Sequence, residues 1–113
     1  MARALVILDG NGPLPLRATF QSPTDGDVVF AISGTAWTQS SPTLIGCTLT
    51  LDGQLLGKPA ICFANQNANH QALRTTFVLY SGLKSGEHAI VVQALNGQTT
   101  TDINDYFQVT MFY

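Results

Sequence analysis

Three groups of residues in this chain have chemistry to offer beyond folding. The first is Trp37, the single tryptophan, which stands among Thr35, Thr38, Gln39 and Ser40. A half-exposed indole face is a stacking platform for the apolar side of a sugar ring, whereas a buried one is a core anchor between two sheets. The second group is the run Asn65-Gln66-Asn67-Ala68-Asn69-His70-Gln71. Its amides donate and accept hydrogen bonds, which suits hydroxyl-rich, uncharged ligands. An ordinary connection braced by internal hydrogen bonds has the same composition. The third is Asp102-Ile103-Asn104-Asp105, whose oxygen-bearing side chains resemble the start of a calcium loop. Calcium wants about 6–8 oxygens, and this run lacks the glycine and the later acidic ligand of such loops. The favoured reading is a turn in which the side chains cap backbone N–H groups before the last strand. No cofactor is expected, with calcium near Asp102, Asn104 and Asp105 as the alternative.

Nothing in the sequence assembles a catalytic unit. No serine sits in a nucleophile elbow; Ser33 precedes Gly34, but no base accompanies it. The histidines are His70 and His88, and Glu87 lies on the opposite strand face from His88. Asp25 with Asp27, and Asp102 with Asp105, are spaced for a carboxylate pair, but each has a simpler role in a turn. The chain therefore reads as a non-enzyme. Two cysteines, Cys47 and Cys62, are too few for a disulfide framework or a zinc cage. Cys47 alternates with Leu49 and Leu51, so a buried thiol is the default. A hairpin at Asp52-Gly53 in strict register sets Cys47 opposite Lys58, and a direct bridge to Cys62 needs a shifted register.

Charge narrows the function classes. Charged residues make up 11% of the 113 residues, against about 25% in a typical domain. The net charge is −2, and the scattered basic residues form no stripe able to neutralise phosphates, which argues against nucleic acid. No segment approaches the ~20 apolar residues of a membrane span. The run Ala4-Leu5-Val6-Ile7-Leu8 is too short for a secretory core and ends at Asp9; it reads as a strand. A cytoplasmic, non-classically exported or virion-associated setting is the expectation.

The elements that must hold these groups are strands. Period-two alternation recurs along the chain, interrupted by turn signals, and no window shows a helical period. Leu14, Leu16, Ala18 and Phe20 mark one strand face. Val28, Phe30 and Ile32 mark another, with Gly34 as a bulge or bend before Trp37. Ile45, Cys47, Leu49 and Leu51 point inward just before Asp52-Gly53, the strongest hairpin signal present. Leu73, Thr75, Phe77 and Leu79 form a further face. His88, Ile90, Val92 and Ala94 precede Asn96-Gly97, a second hairpin candidate. Phe107, Val109 and Met111 line the last strand. The expectation is a single domain over 1–113, an all-β, antiparallel two-sheet β-sandwich of jelly-roll or Ig-like type with about eight strands.

On such a scaffold, Trp37, Asn65, Asn67, Asn69 and His70 are the candidate contacts of a non-enzymatic, carbohydrate-binding (lectin-like) module for a glycan or other neutral polar ligand. The rival is a structural subunit of the capsid, fibre or tail type. Apolar terminal strands and scarce charge point to a homo-oligomer, a trimer or dimer, because exposed apolar edges must be covered.

Overall fold

A computed structural model describes residues 3–113. Among these residues nine strands build the domain: β1 (Ala4–Asn11), β2 (Leu16–Ser22), β3 (Gly26–Ala36), β4 (Thr43–Leu51), β5 (Gln54–Ala64), β6 (Gln71–Ala72), β7 (Thr76–Leu83), β8 (Gly86–Ala94) and β9 (Tyr106–Phe112). They form two antiparallel sheets. In the larger, β1, β9 and β3 are neighbours, and both β6 and β7 pair with the far side of β3; the smaller runs β2-β8-β4-β5. The protein is thus a β-sandwich. Among the described residues, no helix is long and apolar enough to cross a membrane.

Strict alternation sets the core. Val28, Phe30 and Ile32 of β3, Ile45, Cys47 and Leu49 of β4, Ile90 and Val92 of β8, and Phe107, Val109 and Met111 of β9 are fully buried between the sheets. Burying each such side chain is worth about 1.5–3 kcal/mol. Asp52 (φ 49°) and Gly53 (φ 82°) are both left-handed, the geometry that a two-residue hairpin turn between right-twisting strands demands. The β4–β5 register shifts between Cys47 and Leu49, so Cys47 lies opposite Ala60 and Cys62 opposite Ile45. Both thiols are free, and burial pushes that of Cys47 up to about 12.

Three local expectations are corrected by the packing. Leu73 is buried, but Phe77 and Leu79 are 63% and 64% exposed. The chain does not run through as one strand: after Leu73 bonds to the Gly34 carbonyl, the Arg74 N–H turns away to the Ile61 carbonyl of β5. That break shifts the alternation by one, so Val78 points inward instead. Asn96-Gly97 closes no hairpin, because β8 and β9 belong to different sheets. The Asn96 side chain is engaged with the Leu44 carbonyl and with Thr99. Gly34 makes no bulge in β3. It is required because the Phe107 ring lies directly over it, where a Cβ would collide.

The strand ends sort into two sets. The turns at residues 23–25, 52–53 and 84–85 close one end of the sandwich, and the longer connections at 12–15, 37–42, 65–70 and 95–105 gather at the other. At the short-turn end, His88 Nδ1 lies 2.6 Å from Asp52 Oδ2, His88 Nε2 is 2.7 Å from the Lys84 carbonyl, and Asp52 Oδ1 accepts the Ala89 N–H. The bond to Asp52, then that to Lys84, raises the His88 pKa above its ordinary 6.5 against the pull of burial. For Asp52, burial acts upward, but the bonds from His88 and Ala89 prevail and hold it below its ordinary 3.8.

A pH window follows. The His88 contribution to stability is complete below 6.5 and is lost as pH rises through its raised folded value. The Asp52 contribution is present above 3.8 and is lost as pH falls through its depressed value. Urea midpoints measured against pH are expected to be highest between those two limits. His88→Gln should flatten both flanks, and an unchanged profile in that variant would contradict the assignment.

Candidate functional site

The site is built where β3 runs out. Trp37 continues β3 for one residue and exchanges both backbone hydrogen bonds with Thr100 of the 95–105 loop, at 3.0 and 2.8 Å. This bridge fixes the indole at the rim of the sandwich. Its ring is half-buried and stands outside the core cluster. The next residue, Thr38, is buried, and its carbonyl accepts the Ala68 N–H at 2.9 Å. Asn67 Oδ1 accepts the Ser41 N–H at 2.8 Å. Two links between the 37–42 and 65–70 connections thus hold the amide run beside the tryptophan.

His70 completes the platform. Its ring lies 5.6 Å from the Trp37 ring, centroid to centroid, with 38° between the planes. Nδ1 of His70 is 2.8 Å from Oδ1 of Asp105, a carboxylate with no exposure to solvent. The same oxygen accepts the Thr35 hydroxyl at 2.8 Å, and Oδ2 accepts the Asp102 N–H at 2.8 Å. With its oxygens serving as acceptors, Asp105 fixes Nδ1 of His70 as the donor. The hydrogen bond to Asp105 raises the His70 pKa above 6.5; burial opposes it, and the nearby charges of Asp105 and Asp102 add to the rise.

The backbone of Asp105 extends the same knot. Its carbonyl accepts the Gly12 N–H at 2.8 Å, and its N–H donates to the Asp102 carbonyl at 3.0 Å. Asp102 Oδ1 in turn accepts the Asn104 N–H at 2.8 Å. The acidic run is therefore a side-chain-capped turn, the arrangement expected of it, with one member turned inward as an anchor.

Of the sequence candidates, Trp37, Asn67 and His70 are brought into one patch, with Asn67 spending its carbonyl oxygen on Ser41. Asn65 and Asn69 are exposed in the same connection. Three contributors lie beyond the sequence reading: Thr35, Thr100 and the inward-facing role of Asp105. The run Asp102-Ile103-Asn104-Asp105 gives no local sign that its last member will be buried under a histidine 35 residues away. Among the described residues, two side-chain atoms of the rim, Trp37 Nε1 and Gln71 Oε1, are buried without a protein hydrogen-bond partner. Each such group costs about 1–3 kcal/mol.

The rim presents the Trp37 and His70 rings side by side. A shallow depression of about 400 Å³ lies elsewhere, on the outer face of the smaller sheet, where Arg17 and Thr19 of β2 meet Ala89 and Val91 of β8. It brings together no set of convergent polar groups comparable with the rim.

Several solved structures share the fold. A family 35 carbohydrate-binding module from Clostridium thermocellum superposes with a TM-score of 0.56 at 8% identity, over 96% of this chain and 91% of that one. The C-terminal domain of EclA, a sugar-binding protein, gives a TM-score of 0.52 at 14% identity, over 97% of this chain and 77% of that one. Latent dimeric PorU from Porphyromonas gingivalis contains a comparable domain, with a TM-score of 0.53 at 14% identity over 95% of this chain and 11% of that one. At these identities the likeness establishes the β-sandwich fold alone. No protein-family model matches the sequence, and no curated protein matches it.

If Asp105 holds the rim, Asp105→Asn replaces an acceptor with a donor where three groups already donate. The expected loss is about 2–3 kcal/mol in urea unfolding, with Trp37 emission moving toward that of a solvated indole. A loss below about 0.5 kcal/mol, the range of an ordinary surface change, would show that the loops are held by other contacts.

Proposed function

We propose that the protein is a non-enzymatic carbohydrate-binding module whose ligand rests on the Trp37–His70 platform. The observation that supports this most is the pairing of a half-buried indole with an imidazole at the rim, with the exposed amides of Asn65 and Asn69 in the connection that carries the imidazole. Pyranose rings present C–H groups on one face and hydroxyls around the edge. The indole takes the first and the amides and imidazole take the second. The fold is shared with a carbohydrate-binding module and a sugar-binding domain, which makes the same use of this scaffold a reasonable expectation. A binding role also fits the buried acid of the rim. Asp105 is wholly buried and engaged by its neighbours, so it is not free to exchange protons with a substrate.

Self-association is a second property that one surface favours. On the outer face of the larger sheet the register aligns Leu79, Val29, Phe112 and Ala4 in one row, and Phe77, Ala31, Thr110 and Val6 in the next. This uncharged patch includes Phe77, Leu79 and the 52%-exposed Val6, and apolar patches of this kind mark contact surfaces. We take it as the face through which a dimer or trimer would pack.

Titration with mono- and oligosaccharides, or a glycan array followed by titration, should produce a saturable change in Trp37 fluorescence. Trp37→Ala should weaken binding by about tenfold or more, the equivalent of a stacking contact worth ~1.4 kcal/mol. An array without hits would overturn the carbohydrate reading. Light scattering at micromolar concentration tests the second property: two- or threefold the chain mass is expected, reduced by Leu79→Glu, and a monomer mass for the unaltered protein would refute it.

A further inference from the structure

We propose that His70 and Asp102 form a binding site for a divalent transition-metal ion of the zinc type, independent of any sugar. His70 Nδ1 is held by Asp105, which leaves the Nε2 lone pair of the neutral imidazole directed outward. The atom facing it is Asp102 Oδ2, 3.8 Å away. That separation is too long for a hydrogen bond. It is close to what one shared ion needs: zinc binds imidazole nitrogen and carboxylate oxygen at about 2.0–2.2 Å, which at a tetrahedral angle sets the two ligand atoms ~3.4 Å apart. A closure of roughly 0.4 Å lies within the freedom of the Asp102 side chain, which is 39% exposed.

Two further features suit a metal. Histidines that bind metal ions usually donate their other ring N–H to a carboxylate, which fixes the tautomer and raises the basicity of the ligating nitrogen. His70 and Asp105 are already in that relation. The ligating atoms offered by His70, Asp102 and Asp105 all lie within 4.8 Å of one another, and among the described residues neither carboxylate is paired with a lysine or arginine. A dication is therefore favoured electrostatically by both acids, one as ligand and one as support. The nitrogen ligand and the engagement of Asp105 with Thr35, His70 and the Asp102 N–H select a borderline ion over calcium, which prefers many oxygens. The other histidine offers no equivalent site, since both its ring nitrogens are bonded, to Asp52 and to Lys84. Two protein ligands leave the remaining positions of the ion for water or for ligand oxygens.

Trp37 makes the site readable, because its ring is 5.6 Å from that of His70 and it is the only tryptophan. Nickel, added to the full chain at pH 7.5 without sugar, should quench Trp37 fluorescence saturably. Zinc should compete for the same site and EDTA should restore the signal. His70→Gln should weaken nickel binding at least tenfold, and Asp102→Asn should weaken it measurably. Both side chains are more than a third exposed, and because each also holds part of the rim, a urea midpoint is measured for each variant so that lost metal binding is told apart from lost structure. Saturable quenching that persists unchanged in His70→Gln, or no saturation up to millimolar nickel, would overturn the proposal. Neither result bears on sugar binding, which is measured separately in EDTA.

Discussion

The rim of this sandwich depends on one buried carboxylate. Asp105 accepts hydrogen bonds from Thr35 at the end of β3, from His70 after β5 and from the backbone of Asp102 within its own turn, while its carbonyl receives Gly12 beyond β1. Four separate stretches of chain are thereby tied to a single residue. Burying a carboxylate is costly unless it is satisfied, and here the partners that satisfy it are the parts of the rim itself. The arrangement makes the loops mutually dependent: loss of the anchor would release the imidazole that flanks Trp37 as well as the turn that feeds β9.

The surrounding surface is unusual for its neutrality. A domain with 11% charged residues owes the polarity of its surface largely to hydroxyls and amides, and some of those groups stand beside the Trp37–His70 pair. Such a surface has little long-range field with which to steer a charged partner. Any ligand it meets would have to be held by contact, through stacking and short hydrogen bonds. The same neutrality leaves the outer face of the larger sheet without the lysines that usually blunt apolar strands.

The sandwich was legible wherever alternation was unbroken and a turn residue was geometrically required. Ile45, Cys47, Leu49 and Leu51 fall inward as their spacing says, and Asp52-Gly53 turns as its two left-handed positions demand. Legibility failed where a tertiary contact overrode a local signal. Nothing around Arg74 announces that its N–H will leave the sheet for Ile61, yet that one bond reverses the face of Phe77 and Leu79. Asn96-Gly97 has the chemistry of a hairpin, but the strands on either side of it belong to different layers. The rim lay between these cases. Trp37 and the amide run stand out by residue type, while their adjacency rests on the Trp37–Thr100 and Thr38–Ala68 bonds, which link distant positions without a sequence mark.

The pairing of β1 with β9 has a mechanical consequence. Arg3 and Tyr113 exchange two backbone hydrogen bonds at 3.0 Å, and the ladder runs from there through Ala4–Phe112 to Asn11–Tyr106. Because the strands are antiparallel, tension applied through Arg3 and Tyr113 acts across the ladder and opens its bonds in succession, as a zip opens, instead of shearing them together. The opening would begin at the end remote from Trp37 and meet Asp105 only after the final pair had parted. A load transmitted through these two residues would thus detach the outer strand before it disturbed the rim.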